Sequence, residues 1–510
     1  MFNKESRLKN LALSSSFGVA EQMLVYILSF VYRTVFLMVL SKEYLGISGL
    51  FTNILQIFSL TELGIGSVIA YRLYKPIKED DAELCHALMN FYKKIYQLIA
   101  LIVFGMGCVF FPFLNSIIAD VNEIPADVNL SIIYWLYVFQ SVASYLFVYA
   151  QSLLIADQKN YVISFTNSIY NVISTILKIL ILVLFKSYTY SLFIGIVVNV
   201  VYNYWIAAKI KGQYKAVYEG NQRLNRNQKA EIFKDTASLM CHKVGYVVLN
   251  STDSIILSKY IGVAILGIYS NYSMISTAID AVLNKMLGSF VSTIGNLSLE
   301  NNKENTFYAY KRLLFVNFWL VSFCTIAFFS LVNPFITIWL DKSYVLDQIT
   351  VIILTCNMFF NSSGIINSVF TNANGLFIKD RIRPLIQSLV NLIVSIYLVQ
   401  KIGLPGIFVG TLVSNLFTTW WRQPLILFRY VFCDKPLYYF SSFIKWFAVT
   451  ICICFAYKTF FDLIPISFFS FILYLIIVVI FTNVLFWVLF RKDESYLYCK
   501  ELVLKKIKKH

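Results

Sequence analysis

Nine ionisable residues interrupt long apolar runs in this chain: Glu21, Arg33, Glu62, Lys178, His242, Lys243, Asp253, Asp280 and Lys285. A charge at membrane depth is costly, and it faces a cavity or a partner as a rule. The chemistry such residues offer is the holding of a charged or polar ligand, or of an ion, inside the bilayer. Bond-making chemistry has no comparable signature. No GxxxxGK[ST] loop, HExxH helix or GxSxG elbow occurs.

Spacing relates some of these residues. His242 and Asp253 are eleven positions apart, which on a helix is within about 20° of one face and about 16 Å along the axis. Glu21 and Arg33 are twelve apart, about 120° off in angle, and need not share a face. Asp280 and Asn284 stand at i, i+4 with Lys285 beside them. A bland reading accompanies each. Arg33 and Lys178 could snorkel to an interface, and His242 and Lys243 could be interfacial. Asp253 could pair locally, Glu21 could pair with a nearby lysine, and Glu62 and Asp280 could form helix–helix ion pairs.

The elements that must position these residues follow from composition. Of 510 residues, 58% are hydrophobic and only 14% charged, against roughly 25% charged in an average soluble domain. Too few polar side chains exist to cover the surfaces of several soluble domains. Fourteen apolar segments are long enough to span a bilayer. They lie at about 14–40, 46–70, 95–119, 130–155, 161–185, 189–208, 236–258, 263–292, 313–333, 346–373, 384–400, 404–428, 443–461 and 466–490. The fold class is therefore an all-α integral membrane protein.

The net charge of +16 does not point to nucleic acid. With both termini placed in the cytoplasm, the inner segments hold 31 of the 43 lysines and arginines and the outer loops hold six. That asymmetry is the positive-inside pattern, and it predicts a multi-pass protein with both termini inside. Outer loops are about 15 residues or shorter, so no ectodomain is expected. Nine cysteines without paired spacing do not read as a disulfide framework.

The two halves resemble each other. Gly49–Asn53 aligns with Gly267–Asn271 at an offset of 218, Asn167–Asn171 with Gln387–Asn391 at 220, and Gly195 with Trp205 aligns with Gly410 with Trp420 at 215. An even number of spans per repeat gives a parallel repeat about an axis along the membrane normal. The expected organisation is an N-lobe of six spans (1–208), a linker (209–235), a C-lobe of six spans (236–428), two added spans (429–490) and a basic tail (491–510). Most of the intramembrane charges fall on the first two spans of each lobe, where they would line one shared cleft.

The stretches TELGIGSVIAYRLYKP (Thr61–Pro76), LIADQKNY (Leu154–Tyr161), HKVGYVVLNSTDSIILSKYIG (His242–Gly262) and GIYSNY (Gly267–Tyr272) resemble segments of bacterial polysaccharide transporters. These form the O-antigen and capsule flippase branch of the multidrug/oligosaccharidyl-lipid/polysaccharide exporter superfamily. The resemblance covers nearly the whole chain. It implies two six-helix lobes around a central cavity, working by alternating access in the bacterial cytoplasmic membrane. It implies an undecaprenyl-pyrophosphate-linked oligosaccharide as substrate, with membrane lipids, a polysaccharide polymerase and assembly proteins as partners. No cofactor, metal or nucleic acid is implied, and the energy source is left open between a proton, a sodium and a substrate gradient. The motifs carry cavity roles onto His242, Lys243 and Asp253, and onto Glu62. Placement adds Arg33, Asp280 and Lys285, and Arg33 is expected to meet the pyrophosphate. The last two spans could border a groove for the lipid tail, as in the related lipid II flippases. A drug/cation antiporter of the same superfamily is the competing reading, although it would favour an acidic cavity. An integral polysaccharide polymerase is a third reading, and it lacks the outer catalytic loop that class needs.

Overall fold

The structure, a computed structural model, describes residues 7–62, 65–119, 124–299 and 302–507. Among these residues every regular element is helical. Eleven helices are long and apolar enough to cross a membrane. The three expected spans missing from that set are the second, seventh and twelfth, and each has a physical reason. The second is interrupted by a 3-10 turn at Ser59–Glu62. The seventh lies in a helix that carries polar and charged residues along its length. The twelfth ends at Phe417, and a short helix containing Pro424 follows.

The chain divides into two compact units, Met1–Gly267 and Ile268–His510. The first holds α1 (Arg7–Val39), α2 (Lys42–Phe58), α3 (Ile65–Glu79), α4 (Ala82–Phe110), α5 (Leu130–Val148), α6 (Gln151–Ala156), α7 (Asn160–Phe185), α8 (Tyr188–Gln213), α9 (Lys215–Tyr218) and α10 (Arg226–Tyr260). α11 (Val263–Gly288) begins in this unit and continues into the second. The second then holds α12 (Val291–Leu299), α13 (Lys303–Trp339), α14 (Gln348–Ser363), α15 (Ile365–Ala373), α16 (Arg383–Ile402), α17 (Leu404–Phe417), α18 (Thr419–Leu427), α19 (Leu437–Phe461), α20 (Phe468–Phe490) and α21 (Glu494–Ile507). Compactness places the boundary beyond the expected linker because α10 packs on α2 and α3.

The repeat is written in the helix caps. Asp81 accepts a hydrogen bond from the Leu84 N–H at the start of α4, and Asn302 accepts one from the Asn305 N–H at the start of α13, 221 residues on. Asn129 caps α5 and Asp347 caps α14, 218 residues on. Such side chains satisfy N–H groups that the helix itself leaves unpaired. Gln158 and Gly375, 217 apart, both take positive φ at the turn before α7 and α16.

A closer signature lies between α2 and the first turn of α11, both in the first unit. A Cβ added to Gly46 would stand 1.8 Å from the Val263 carbonyl oxygen, and one added to Gly267 would stand 2.0 Å from the Lys42 carbonyl oxygen. The two contacts exchange under a shift of 221 residues, as a local two-fold axis requires. The repeat therefore aligns Leu45-Gly46-Ile47 with Leu266-Gly267-Ile268, three positions from the 218 offset of the sequence alignment. Three residues are nearly one helical turn, so the apolar pattern survives the slip and cannot resolve it.

The second unit is built around α13. It packs on α14, α19, α20 and α21, and aromatic side chains fill the seams. Trp446 stacks on Phe490 at 4.0 Å and Phe461 on Tyr474 at 3.9 Å between ring centroids. None of the eight described cysteines is in a disulfide.

Candidate functional site

Arg33 lies on α1, whose exposed face carries the apolar residues Met23, Ile27, Val31 and Met38. By helical rotation Arg33 is about 120° from Ile27. It shares a flank, within about 60°, with Gln22, Tyr26 and Ser29, and all four are half-buried. α1 also packs on α7 and α8. Phe17 meets Phe165 edge-on, Phe36 meets Tyr188, and the Tyr32 hydroxyl lies 3.4 Å from Ser191 Oγ. The flank is a polar stripe on a largely apolar span, and Arg33 does not belong to the apolar exposed face.

Glu62 closes the 3-10 turn that interrupts the second span. Its carboxylate accepts a short hydrogen bond from the buried Tyr96 hydroxyl of α4, and Tyr96 accepts from Tyr92 at 3.1 Å. Broken spans recur at binding sites in transporters, because the loosened backbone needs a polar surrounding. Asp280 of α11 accepts from Ser362 Oγ of α14 at 2.6 Å. What holds each of these two carboxylates is thus a hydroxyl within its own unit, where the bland reading expected an ion pair. Asn284 donates to the Asp280 main-chain carbonyl at 2.8 Å, not to the carboxylate.

The remaining expected residues are placed less tightly. Asp253 is half-buried on α10, and Lys285 is exposed near the end of α11. His242 and Lys243 fall inside α10, but their side chains lie outside the described residues. Arg33, Glu62 and Asp253 belong to the first unit, and Asp280 and Lys285 to the second.

Several residues were not singled out as sites from sequence. Lys178 lies on α7 with its side chain over Gly195 of α8, where an added Cβ would meet Lys178 Cε at 2.2 Å. The ammonium lies over the same glycine, with Nζ 3.0 Å from that added Cβ. Around Tyr170 and Tyr202, stacked at 4.7 Å, Tyr202 donates to Asn167 Oδ1 at 2.6 Å and Asn199 donates to the Tyr170 oxygen at 3.0 Å. Their signal was the spacing Asn167, Tyr170, Ser174, Lys178, which puts four polar residues on one helix face.

The LIADQKNY motif has a structural role. Tyr214 donates to Asp157 Oδ2 at 2.6 Å, and the Lys159 ammonium reaches the same oxygen at 2.6 Å. The motif therefore pins the start of the linker to the turn between α6 and α7.

In the second unit, a small crevice opens between α13, α14 and α19. Its wall is apolar, with Phe329, Cys356, Phe447, Thr450 and Cys454 among its residues. The thirteenth span, α19, thus supplies one side of an apolar crevice. A small cluster joins the buried Asp380 to Arg383 at 2.6 Å and to Arg422 at 3.4 Å.

Among solved structures, the chain is similar to the lipid II flippase MurJ in an inward closed conformation, with a TM-score of 0.71 at 14% identity, covering 93% of this chain and 99% of that one. It is similar to the inward-facing conformation of a multidrug resistance MATE family transporter of the MOP superfamily (TM-score 0.60, 13% identity, 86% and 98% covered). The outward-facing conformation of such a transporter also matches (TM-score 0.53, 14% identity, 88% and 97% covered). At these identities the likeness establishes the fold alone, a multi-pass helical membrane fold shared with those proteins. No curated protein sequence matches the chain. Residues 14–292, more than half of the chain, match the family described as Polysaccharide biosynthesis protein, and the chain belongs to that family.

Proposed function

We propose that the chain is a flippase that moves undecaprenyl-pyrophosphate-linked oligosaccharide repeat units across the bacterial cytoplasmic membrane by alternating access, for surface polysaccharide biosynthesis. The observation that carries this reading is the half-buried polar flank of α1, Gln22, Tyr26, Ser29 and Arg33, on a membrane-spanning helix. A pyrophosphate carries about two negative charges that must cross hydrocarbon, where one isolated charge costs roughly 3 kcal/mol or more. A fixed guanidinium in a wet cavity offsets that cost, and its fork matches phosphate oxygens in a bidentate way. The apolar crevice between α13, α14 and α19 suits the hydrocarbon end of the same substrate. Glu62, His242, Lys243, Asp253, Asp280 and Lys285 complete the proposed set of cavity residues, and the lipid-linked oligosaccharide is the proposed partner.

The test is made in cells. Deleting the gene is expected to remove surface polysaccharide and to leave lipid-linked repeat units on the inner leaflet. Arg33→Ala is expected to reproduce the defect at normal protein levels, and Arg33→Lys to keep part of the export. Accumulation on the outer leaflet would contradict the reading and point to a polymerase. Export at the wild-type rate in Arg33→Ala would remove Arg33 from the mechanism.

A further inference from the structure

On α7, Asn167, Tyr170, Ser174 and Lys178 fall within about 80° of one helix face and span about 16 Å along the axis. The opposite face of the same helix carries the exposed apolar residues Phe165, Ile169, Ile173, Ile176 and Leu180. The polar face meets α8, and there the hydrogen bonds can be counted. Asn167 uses its amide oxygen, which accepts from Tyr202. Tyr170 uses its oxygen as an acceptor, for Asn199. Neither the Asn167 amide N–H groups nor the Tyr170 O–H is spent in those bonds. Ser174 is only 4% exposed, and its hydroxyl has no partner. The Lys178 ammonium makes no hydrogen bond or ion pair with any described residue, and Gly195 of α8 leaves the room that its stem occupies.

Four side chains with unspent donors therefore stand in a row inside a membrane-spanning helix. A buried polar group without a partner costs about 1–3 kcal/mol, and a charge costs more. Asn167 and Tyr170 also bond across to α8, but helix–helix adhesion does not explain Ser174 or Lys178, whose side chains take no part in it. A ligand rich in acceptors would. Stacked tyrosine rings beside amides suit the faces and hydroxyls of a sugar, since a ring face is apolar and its edge is wet. An ammonium suits a phosphate as a point charge.

We propose that this face of α7, with Tyr202 and Asn199 of α8, is a glycosyl-phosphate subsite. The sugar lies against Asn167, Tyr170 and Ser174, and the phosphate end lies at Lys178. The inference rests on the flippase reading and deepens it by naming the residues that read the sugar and those that read the charge.

The test uses the purified full-length chain in nanodiscs of zwitterionic lipid, with two probes. One is undecaprenyl pyrophosphate, and the other is the same lipid bearing one N-acetylhexosamine. The structural alternative and the subsite make opposite predictions. If the four residues were only structural, Ser174→Ala and Lys178→Met would remove unpaired groups and change no affinity. The subsite predicts that Lys178→Met melts no lower than wild type yet binds both probes about tenfold more weakly. It predicts that Ser174→Ala, equally well folded, loses several-fold affinity for the glycosylated probe alone. Wild-type affinity for both probes in Lys178→Met and Ser174→Ala would overturn the subsite and leave the flippase reading standing. Failure of the wild-type chain to bind either probe would overturn the substrate reading, and the subsite with it.

Discussion

α7–α8 in the first unit and α16–α17 in the second are repeat partners, and they treat the same polar positions in opposite ways. At an offset of 217, Tyr170, Ser174 and Lys178 correspond to Gln387, Asn391 and Ser395. In α16 each makes a side-chain hydrogen bond. Gln387 accepts from Arg383 at 3.0 Å and from Thr419 at 2.8 Å. Asn391 donates to Thr411 at 2.9 Å, and Ser395 donates to the Ile407 carbonyl at 3.0 Å. Asn391 and Ser395 are fully buried. In α7 the side chains are half-buried or unpartnered, and one of them is a cation. Gly410 lies under Ser395 as Gly195 lies under Lys178, so the scaffold is shared. Asn391 and Ser395 tie α16 to α17, whereas the Ser174 hydroxyl and the Lys178 ammonium of α7 bond to no described residue. Adhesion and ligand binding draw on the same groups, and the hydrogen-bond inventory tells them apart.

Substitutions at the two glycines should separate the pair most sharply. At Gly410 a new Cβ would meet the Ser395 main-chain nitrogen at 2.7 Å, which cannot move aside. Gly410→Val is expected to cost about 3 kcal/mol, as overpacking of a tight interface does. At Gly195 the obstacle is the flexible end of Lys178. Gly195→Ala is expected to cost under about 1 kcal/mol, while displacing Lys178 and reducing export. Thermal melting of the purified variants checks the first difference, and surface polysaccharide checks the second. Equal destabilisation at both glycines would break the comparison.

A smaller contrast is expected at the next pair. Asn391→Ala removes a fully buried amide that donates to Thr411 and should cost about 2 kcal/mol. Ser174→Ala removes a hydroxyl that has no partner and should shift stability by no more than about 0.5 kcal/mol. Denaturation in detergent at matched conditions compares them directly.

The smallest effect concerns the turns that precede the two helices. In the first unit Asp157 binds Tyr214 and Lys159. In the second the equivalent Asn374 only reaches back to the Phe370 carbonyl at 2.8 Å. Tyr214→Phe should therefore cost about 1.5 kcal/mol near neutral pH. Burial, reinforced by the hydrogen bond to Asp157, pushes the Tyr214 phenol up from its ordinary value of 10.0. An acid whose pKa is raised by folding stabilises the native state below the unfolded pKa and loses that contribution as pH rises beyond it. Wild-type stability should thus fall from about pH 10 upward, and Tyr214→Phe should fall less steeply. Melting curves at pH 8 and above measure the slope.

Much of this was legible in the residues. The all-helical membrane class and the duplicated halves follow from apolar length and position. The register of the repeat was not legible. The alignments at offsets 218 and 220 each miss the geometric values of 221 and 217 by three residues, close to one turn of helix. Backbone contact between Gly46 and Gly267, and matched side chains over Gly195 and Gly410, resolve it because packing is local and periodicity is not. Lys178 was read equally well as a snorkelling lysine, since a linear sequence does not show that its stem lies along α8. The hydroxyl partners of Glu62 and Asp280 were hidden for a related reason. Tyr96 and Ser362 are far away in the chain, and tyrosines and serines on apolar helices are too common to single out.

The most direct test of the account is translocation in proteoliposomes that hold only this chain. The probe is undecaprenyl-pyrophosphate-linked oligosaccharide placed in one leaflet, and its glycan is followed by protection from an impermeant glycosidase. The account predicts that wild-type chain moves the glycan across, that Ser395→Ala moves it at a near wild-type rate, and that Lys178→Met slows it by about tenfold at equal incorporation. No translocation by the wild-type chain under any imposed proton, sodium or substrate gradient, or translocation by Lys178→Met at the wild-type rate with Ser395→Ala impaired, would contradict it.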